Sequence, residues 1–195
     1  MSGNVDIGAV VERVIKRIQD GDHPPRQDVP ANLLGVYKSI DECIDAAGRS
    51  QQLLVEQPLE KRREIVANIR RRAAEQATTF ATMAVEETGL GRVEDKIKKN
   101  LLVIHRTPGP EILEPVAWTG DDGLTLLERA PFGVIASITP CTNPTETILN
   151  NGIGMISGGN TVAFNVHPAA KGVSAYCVDL INRASVEVGG PDNIM

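Results

Sequence analysis

Aromatic residues are scarce: one tryptophan, two tyrosines and three phenylalanines make up 3% of the 195 residues. The core must therefore be built from alanine, valine, isoleucine and leucine. Cysteine is equally sparse, and Cys43, Cys141 and Cys177 share no short spacing. That pattern excludes a disulfide framework and points to a reducing compartment. His23, His105 and His167 lie far apart in sequence, and with no CxxC pair nothing suggests zinc. No apolar run approaches the ~18 residues of a membrane span, and the amino terminus has no continuous apolar signal segment. Membrane and secretion are excluded, and a cytoplasmic location is expected. Nor is positive charge in excess: 20 Lys and Arg face 25 Asp and Glu, a net charge of −5, which argues against nucleic acid as a partner. Two basic clusters, Lys61–Arg63 with Arg70–Arg72 and Lys96 with Lys98–Lys99, sit among acidic residues at helical spacing. They read as solvated helix faces.

What remains, 42% hydrophobic and 23% charged, is ordinary for a globular chain of one large domain or one and a half small ones. Residues 4–19 carry Ile7, Val10, Val11, Val14, Ile15 and Ile18 at helical spacing, an amphipathic leader helix within 1–20. A proline-rich linker follows over 21–32, and such a tethered helix suits docking on another protein. Ser39 is placed to cap a helix with Ile40, Cys43, Ile44 and Ala47 on its core stripe. One long helix is expected from Pro58 to a left-handed stop at Gly89, and a further one over Val93–His105, halted by Thr107–Pro110. Runs Ile112–Thr119 and Leu124–Ala130 flank Gly120-Asp121-Asp122-Gly123, a hairpin signal. Strand Val134–Thr139, helix Thr145–Ser157, strand Thr161–Val166 and helix Ala169–Val188 then form a βαβα unit with parallel strands. Pro191–Met195 reads as the lead-in to a third strand.

The chemistry concentrates after the first of these strands. In open α/β sheets ligands bind at the carboxyl ends of strands, and Thr139-Pro140-Cys141-Thr142-Asn143-Pro144 stands there. The Asn143 carboxamide can donate to an oxyanion developing on a carbonyl substrate, or Asn143 is ordinary turn chemistry before a proline. Cys141 is either a nucleophile or a small packing thiol. Asn165, His167 and Pro168 form a neighbouring strand-end loop, where His167 either meets a nucleotide ribose or caps the next helix. Gly152 to Gly159 imitate a dinucleotide fingerprint, but they fall late in a helix and before a strand. They read as close packing and a helix stop.

Thr139-Pro140-Cys141-Thr142-Asn143-Pro144-Thr145-Glu146-Thr147 resembles the strand–loop–helix of the aldehyde dehydrogenase superfamily, in the form of its CoA-acylating acetaldehyde and propionaldehyde branch. Glu87-Thr88-Gly89, Gly159-Asn160-Thr161-Val162 and Phe164-Asn165-Val166-His167-Pro168 support the resemblance, which covers residues 33–195. The leader is similar to the encapsulation peptides of bacterial microcompartment enzymes. The resemblance implies an α/β fold: amino-terminal helices, an oligomerisation hairpin over 111–130, and the first βαβα unit of a Rossmann-like NAD-binding domain. It implies NAD as cofactor, coenzyme A as co-substrate and a small aldehyde as substrate, in a homo-oligomer. A shell protein is the implied partner of residues 4–19, and a microcompartment lumen the implied location. In such enzymes a cysteine attacks the aldehyde, hydride passes to NAD⁺, and CoA takes the acyl group.

Carried over residue by residue, Asn143 matches the oxyanion-hole asparagine, one place later than in hydrolytic members. Ile138, Thr139, Pro140, Cys141 and Thr142 match the wall of the nicotinamide ribose. Asn165, His167 and Pro168 match the adenosine ribose subsite, where hydrolytic members carry a lysine; its loss fits a pocket that also admits CoA. The family's nucleophilic cysteine lies further downstream, and none of Cys43, Cys141 or Cys177 matches it. The expectation is the amino-terminal part of an enzyme, inactive by itself. The alternative from another class is a non-catalytic cargo or scaffold module.

Overall fold

The computed structural model describes Glu12, Pro30 and residues 32–195; the expected leader helix and nearly all of the linker lie outside the described residues. Four helices come first: α1 (Ile40–Glu56), α2 (Leu59–Glu75), α3 (Ala77–Thr88) and α4 (Val93–Arg106). A 3₁₀ turn at Pro110–Ile112 leads into a hairpin of β1 (Val116–Gly120) and β2 (Gly123–Leu127). Then come β3 (Val134–Thr139), α5 (Pro144–Ser157), β4 (Thr161–Val166), a 3₁₀ turn at Pro168–Ala170, and α6 (Lys171–Glu187).

Strands β3 and β4 are parallel, with Val134 opposite Thr161 and Thr139 opposite Val166. The last residues lie along the free edge of β4, where the Val162 N–H donates to the Ile194 carbonyl at 3.0 Å. The expected lead-in to a third strand is met by this hydrogen bond, without a strand being formed.

One face of this sheet meets the core. Ile148, Leu149, Ile153 and Ile156 of α5 and Cys177, Ile181 and Ala184 of α6 are fully buried there, with Phe164 and Val166 packed against them. Ile65, Ile69 and Phe80 carry the same core into α2 and α3. As the scarcity of aromatics requires, aliphatic side chains do almost all of this packing. Phe80 and Tyr176 are the exception, meeting edge to face at 5.8 Å between ring centres. Gly152 lies where α5 approaches the chain's last residues; a Cβ there would fall 1.8 Å from the Met195 methyl. Gly152 thus serves packing, as its position in sequence implies, while Gly154 of the same helix faces open space.

Three expectations are corrected. The single long helix is two, because Gln76 leaves helical geometry (φ −106°, ψ 7°) and its N–H turns back to the Ala73 and Ala74 carbonyls. The Gln76 side chain meanwhile accepts from the Tyr176 hydroxyl at 3.2 Å, so the break is fixed by α6. The stripe assigned to α1 is only partly its core face: Ile40 is 73% exposed and Ile44 45%, while Ala47 of that stripe is buried together with Ala46, Ser50 and Leu54. Small residues win that face because the helix runs close to the sheet, with the Thr161 hydroxyl donating to the Ala47 carbonyl at 2.9 Å. Gly89 does stop α3 as expected, at φ 68°.

The basic clusters are the third correction. Arg62 is half-buried and donates to the Ser157 carbonyl at the end of α5 at 3.1 Å, and burial lowers its pKa. Arg70 donates to the Ile104 and Thr107 carbonyls at 3.2 and 2.7 Å, closing the end of α4. Cationic groups on free carbonyls at helix ends are favourable twice over, by hydrogen bond and by dipole. Arg63, Arg71 and Arg72 keep the expected role and pair with surface glutamates.

Candidate active site

Two loops leave the carboxyl edge of the β3–β4 sheet side by side, because Thr139 and Val166 are partners in the parallel register. The first, residues 140–143, carries Asn143 at the amino-terminal cap position of α5. Pro144 fills the first helical turn, where a missing N–H costs nothing. The Asn143 backbone is bent (φ −138°, ψ 63°), and its side chain makes no capping bond to the helix. Its oxygen instead accepts from the ammonium of Lys99 on α4. Cys141, half-buried, packs with Met83 against Ala84, Ala170 and Val173. That contact set suits a packing thiol.

The face of the sheet opposite α5 is covered unevenly. Helix α1 lies at its amino-terminal end, where Thr161 meets Ala47. Toward the carboxyl end Ala136, Ile138 and Asn165 stand exposed, and Ile138 and Asn165 are register partners pointing to the same side. Ile138 is 82% exposed, a large apolar side chain left uncovered on the sheet. Pro140, His167 and Pro168 are exposed beside them. Thr139 is buried, and its hydroxyl has no hydrogen-bond partner. His167 does cap: its Nδ1 accepts from the Ala169 N–H at 3.1 Å, which leaves Nε2 on the outer side of the ring. The residues thus offer an apolar platform, an amide and an imidazole along one open edge, a set that fits a nucleoside in kind.

Sequence reasoning named Glu87 and Asn160 only within motifs and missed what they and Lys96 do around the sheet. Glu87 is buried, and its two carboxylate oxygens accept from the Gly172 and Val173 N–H groups at 2.7 and 2.8 Å. A carboxylate from α3 therefore fills the amino terminus of α6, where the free N–H groups and the helix dipole favour an anion. Asn160 ties the entrance of β3: its oxygen accepts from the Phe132 and Gly133 N–H groups, at 2.6 and 3.1 Å. Lys96, read as solvated, is 3% exposed, with its Nζ donating to the Thr142 carbonyl at 2.9 Å. Its spacing with Asn100 and Ile104 marks the buried stripe of α4. That i, i+4, i+8 pattern was the available signal. A cavity of about 240 Å³ lies elsewhere, lined by Thr107, Ile112, Leu113 and Asn150 among others, and none of its lining residues belongs to either loop. No cluster of metal ligands occurs among the described residues.

The loop geometry at the carboxyl edge agrees with a family match. Residues 27–194 match the model of the aldehyde dehydrogenase family. The chain belongs to the aldehyde dehydrogenase family. It is similar to the acetaldehyde dehydrogenase (acetylating) EutE of Escherichia coli, 45% identical over 190 residues, covering 97% of this chain and 40% of that protein. Among solved structures it is similar to a propionaldehyde dehydrogenase from the fucose utilisation bacterial microcompartment of Clostridium phytofermentans, with a TM-score of 0.80 and 52% identity over 83% of this chain and 37% of that one. A propionaldehyde dehydrogenase of Rhodopseudomonas palustris, with bound CoA and an acylated cysteine, matches with a TM-score of 0.80 and 45% identity over 82% of this chain and 37% of that one. The chain thus spans about 40% of the length of the relatives it matches.

Within this family the observed elements take their places: amino-terminal helices, a protruding hairpin, and a parallel βαβα unit. No helix among the described residues is long and apolar enough to cross a membrane.

Proposed function

We propose that the protein carrying this chain is an NAD-dependent, CoA-acylating aldehyde dehydrogenase acting on a short-chain aldehyde such as acetaldehyde or propionaldehyde. Residues 33–195 form the first part of its nucleotide-binding domain. The observation that carries the reading is the Asn143 side chain: it stands at the carboxyl edge of β3, makes no helix cap, and takes its contact with Lys99 through the oxygen, which leaves the NH₂ group as the donor.

The chain's residues divide the work. The Asn143 NH₂ donates to the carbonyl oxygen of the aldehyde as negative charge gathers on it, the role of an oxyanion hole. Ile138 and residues 139–142 wall the ribose of the nicotinamide half, and Asn165, His167 and Pro168 receive the adenosine half of NAD or of CoA. NAD⁺, when bound, supplies the hydride acceptor, and CoA the thiol that receives the acyl group. Glu87 keeps the amino terminus of α6 filled with an internal carboxylate, so the phosphates of either nucleotide are bound elsewhere than at that helix end.

The hairpin supports a further part of the reading. Every residue of β1 and β2 is exposed, including Trp118 at 55% and Leu124 at 68%. A ribbon with apolar side chains on both faces suits an interface between copies, so the protein assembles through 111–130. Residues 4–19 address it to a microcompartment shell within the cytoplasm.

The test is the complete enzyme made from its natural gene, given aldehyde and NAD⁺ with and without CoA. NADH formed only when CoA is present supports the proposal. CoA-independent release of free acid moves the protein to the hydrolytic branch. No turnover together with no nucleotide binding favours a non-catalytic cargo module.

A further inference from the structure

One turn of α4 grips the loop that opens α5. Lys96 Nζ donates to the Thr142 carbonyl at 2.9 Å. Asn100, fully buried, accepts through Oδ1 from the Thr145 hydroxyl at 2.9 Å, and its NH₂ donates back to the Lys96 carbonyl at 3.0 Å. Between these two anchors Lys99 Nζ donates to Asn143 Oδ1. Three side chains at spacing i, i+3 and i+4 share one face of a helix, and here all three meet residues 142–145.

The contact with Asn143 is chemically directional. An ammonium has three donors and no acceptor, so the lysine must meet the carboxamide by its oxygen. An asparagine at a helix cap position ordinarily turns that oxygen to the helix N–H groups. In this protein it does not. With the oxygen held on the lysine side, the amide is kept from turning end for end, and its NH₂ end points away from the ammonium.

We infer that Lys99 is a positioning residue of the oxyanion site: it holds the Asn143 carboxamide by its oxygen so that the NH₂ is presented to the reacting carbonyl. The inference rests on the reading of Asn143 as the oxyanion donor. Two effects follow from the geometry. The donor is set before the substrate arrives, so no reorganisation is needed as charge develops. The cation also draws electron density from the amide, which strengthens the N–H bond to an anion more than to a neutral carbonyl. Both effects belong to the transition state, so they act on kcat rather than on substrate binding.

Lys99 has one other charged neighbour, the buried carboxylate of Glu146 at 3.9 Å. A purely structural lysine would serve that pair alone. The two roles separate experimentally because the Lys99 side chain is 49% exposed, and loss of its pair with Glu146 is read in stability while its hold on Asn143 is read in turnover. In the complete enzyme, Lys99→Met is expected to lower kcat on the order of ten-fold at unchanged aldehyde KM, with a fall in Tm because Glu146 loses its cation, against ~10²–10³-fold for Asn143→Ala. Lys99→Arg should restore most of the loss. The double variant should be no slower than Asn143→Ala, since one residue acts through the other. If Asn143→Ala is slow but Lys99→Met turns over normally, or loses only Tm, the inference is overturned while the oxyanion reading stands. An Asn143→Ala enzyme of normal kcat would overturn both.

Discussion

Glu87 and Cys177 show how far a single buried group shapes this molecule. Both Glu87 oxygens are spent on the first N–H groups of α6, so the residue works as a cap supplied from another helix. Glu87→Ala is expected to cost about 1–2 kcal/mol of stability in urea unfolding of the complete protein, the usual worth of a charged cap. A loss within error would show that water caps α6 equally well. Cys177 is fully buried, and burial first, then the nearby Glu146 carboxylate, pushes its thiol well above the ordinary value. The folded state keeps this proton while the unfolded chain releases it above the ordinary thiol pKa of 9.0. Stability is therefore whole below that pH and falls as pH rises past it. Cys177→Ala should flatten the decline measured between pH 8 and 10, and an unchanged slope would contradict the assignment. At this scale the sequence was only partly legible. The place of Asn143 at the carboxyl edge of β3 was legible because strand, loop and helix are contiguous. The spacing of Lys96 with Asn100 and Ile104 marked it as buried, but its partner, like that of Arg62, was not legible, the two lying 46 and 95 positions away.

Among the elements, β3 and β4 begin and end where their apolar runs do, at Val134–Thr139 and Thr161–Val166. Their parallel pairing followed from the helix between them. The break at Gln76 was not legible, because nothing in Ala73-Ala74-Glu75-Gln76-Ala77 interrupts a helix locally. The Tyr176 hydroxyl holds the break from across the core. The face of α1 was misread for a related reason: a helix lying close on a sheet buries its alanines, and the larger Ile40 and Ile44 turn outward. The hairpin was legible from its Gly-Asp-Asp-Gly turn, but its strands are shorter than the runs Ile112–Thr119 and Leu124–Ala130, because Pro110–Ile112 forms a 3₁₀ turn and pairing ends at Val116 opposite Leu127. On the proposed assembly through this hairpin, Trp118→Lys in the complete protein should give smaller species in analytical ultracentrifugation than the unchanged protein, with little change in the helical signal by circular dichroism. An intact assembly would move the interface elsewhere.

At the scale of the molecule, much apolar surface stands uncovered among the described residues. The sheet has two fully paired strands, the carboxyl half of one face is open at Ile138, and Phe132 is 95% exposed. Parallel sheets are stable when both faces are covered, and an open β edge invites pairing with other chains. Residues 1–195 made alone should aggregate or melt without a cooperative transition; a soluble monomer with a sharp transition would count against this. The same open edge is where the functional reading stands or falls. A crystal structure of the complete protein with NAD⁺ or CoA bound tests it most directly. The account predicts a ribose against residues 139–142 and an adenosine beside Asn165 and His167, with the Asn143 NH₂ facing the reacting centre. A nucleotide bound away from the carboxyl edge of β3 and β4 would contradict it.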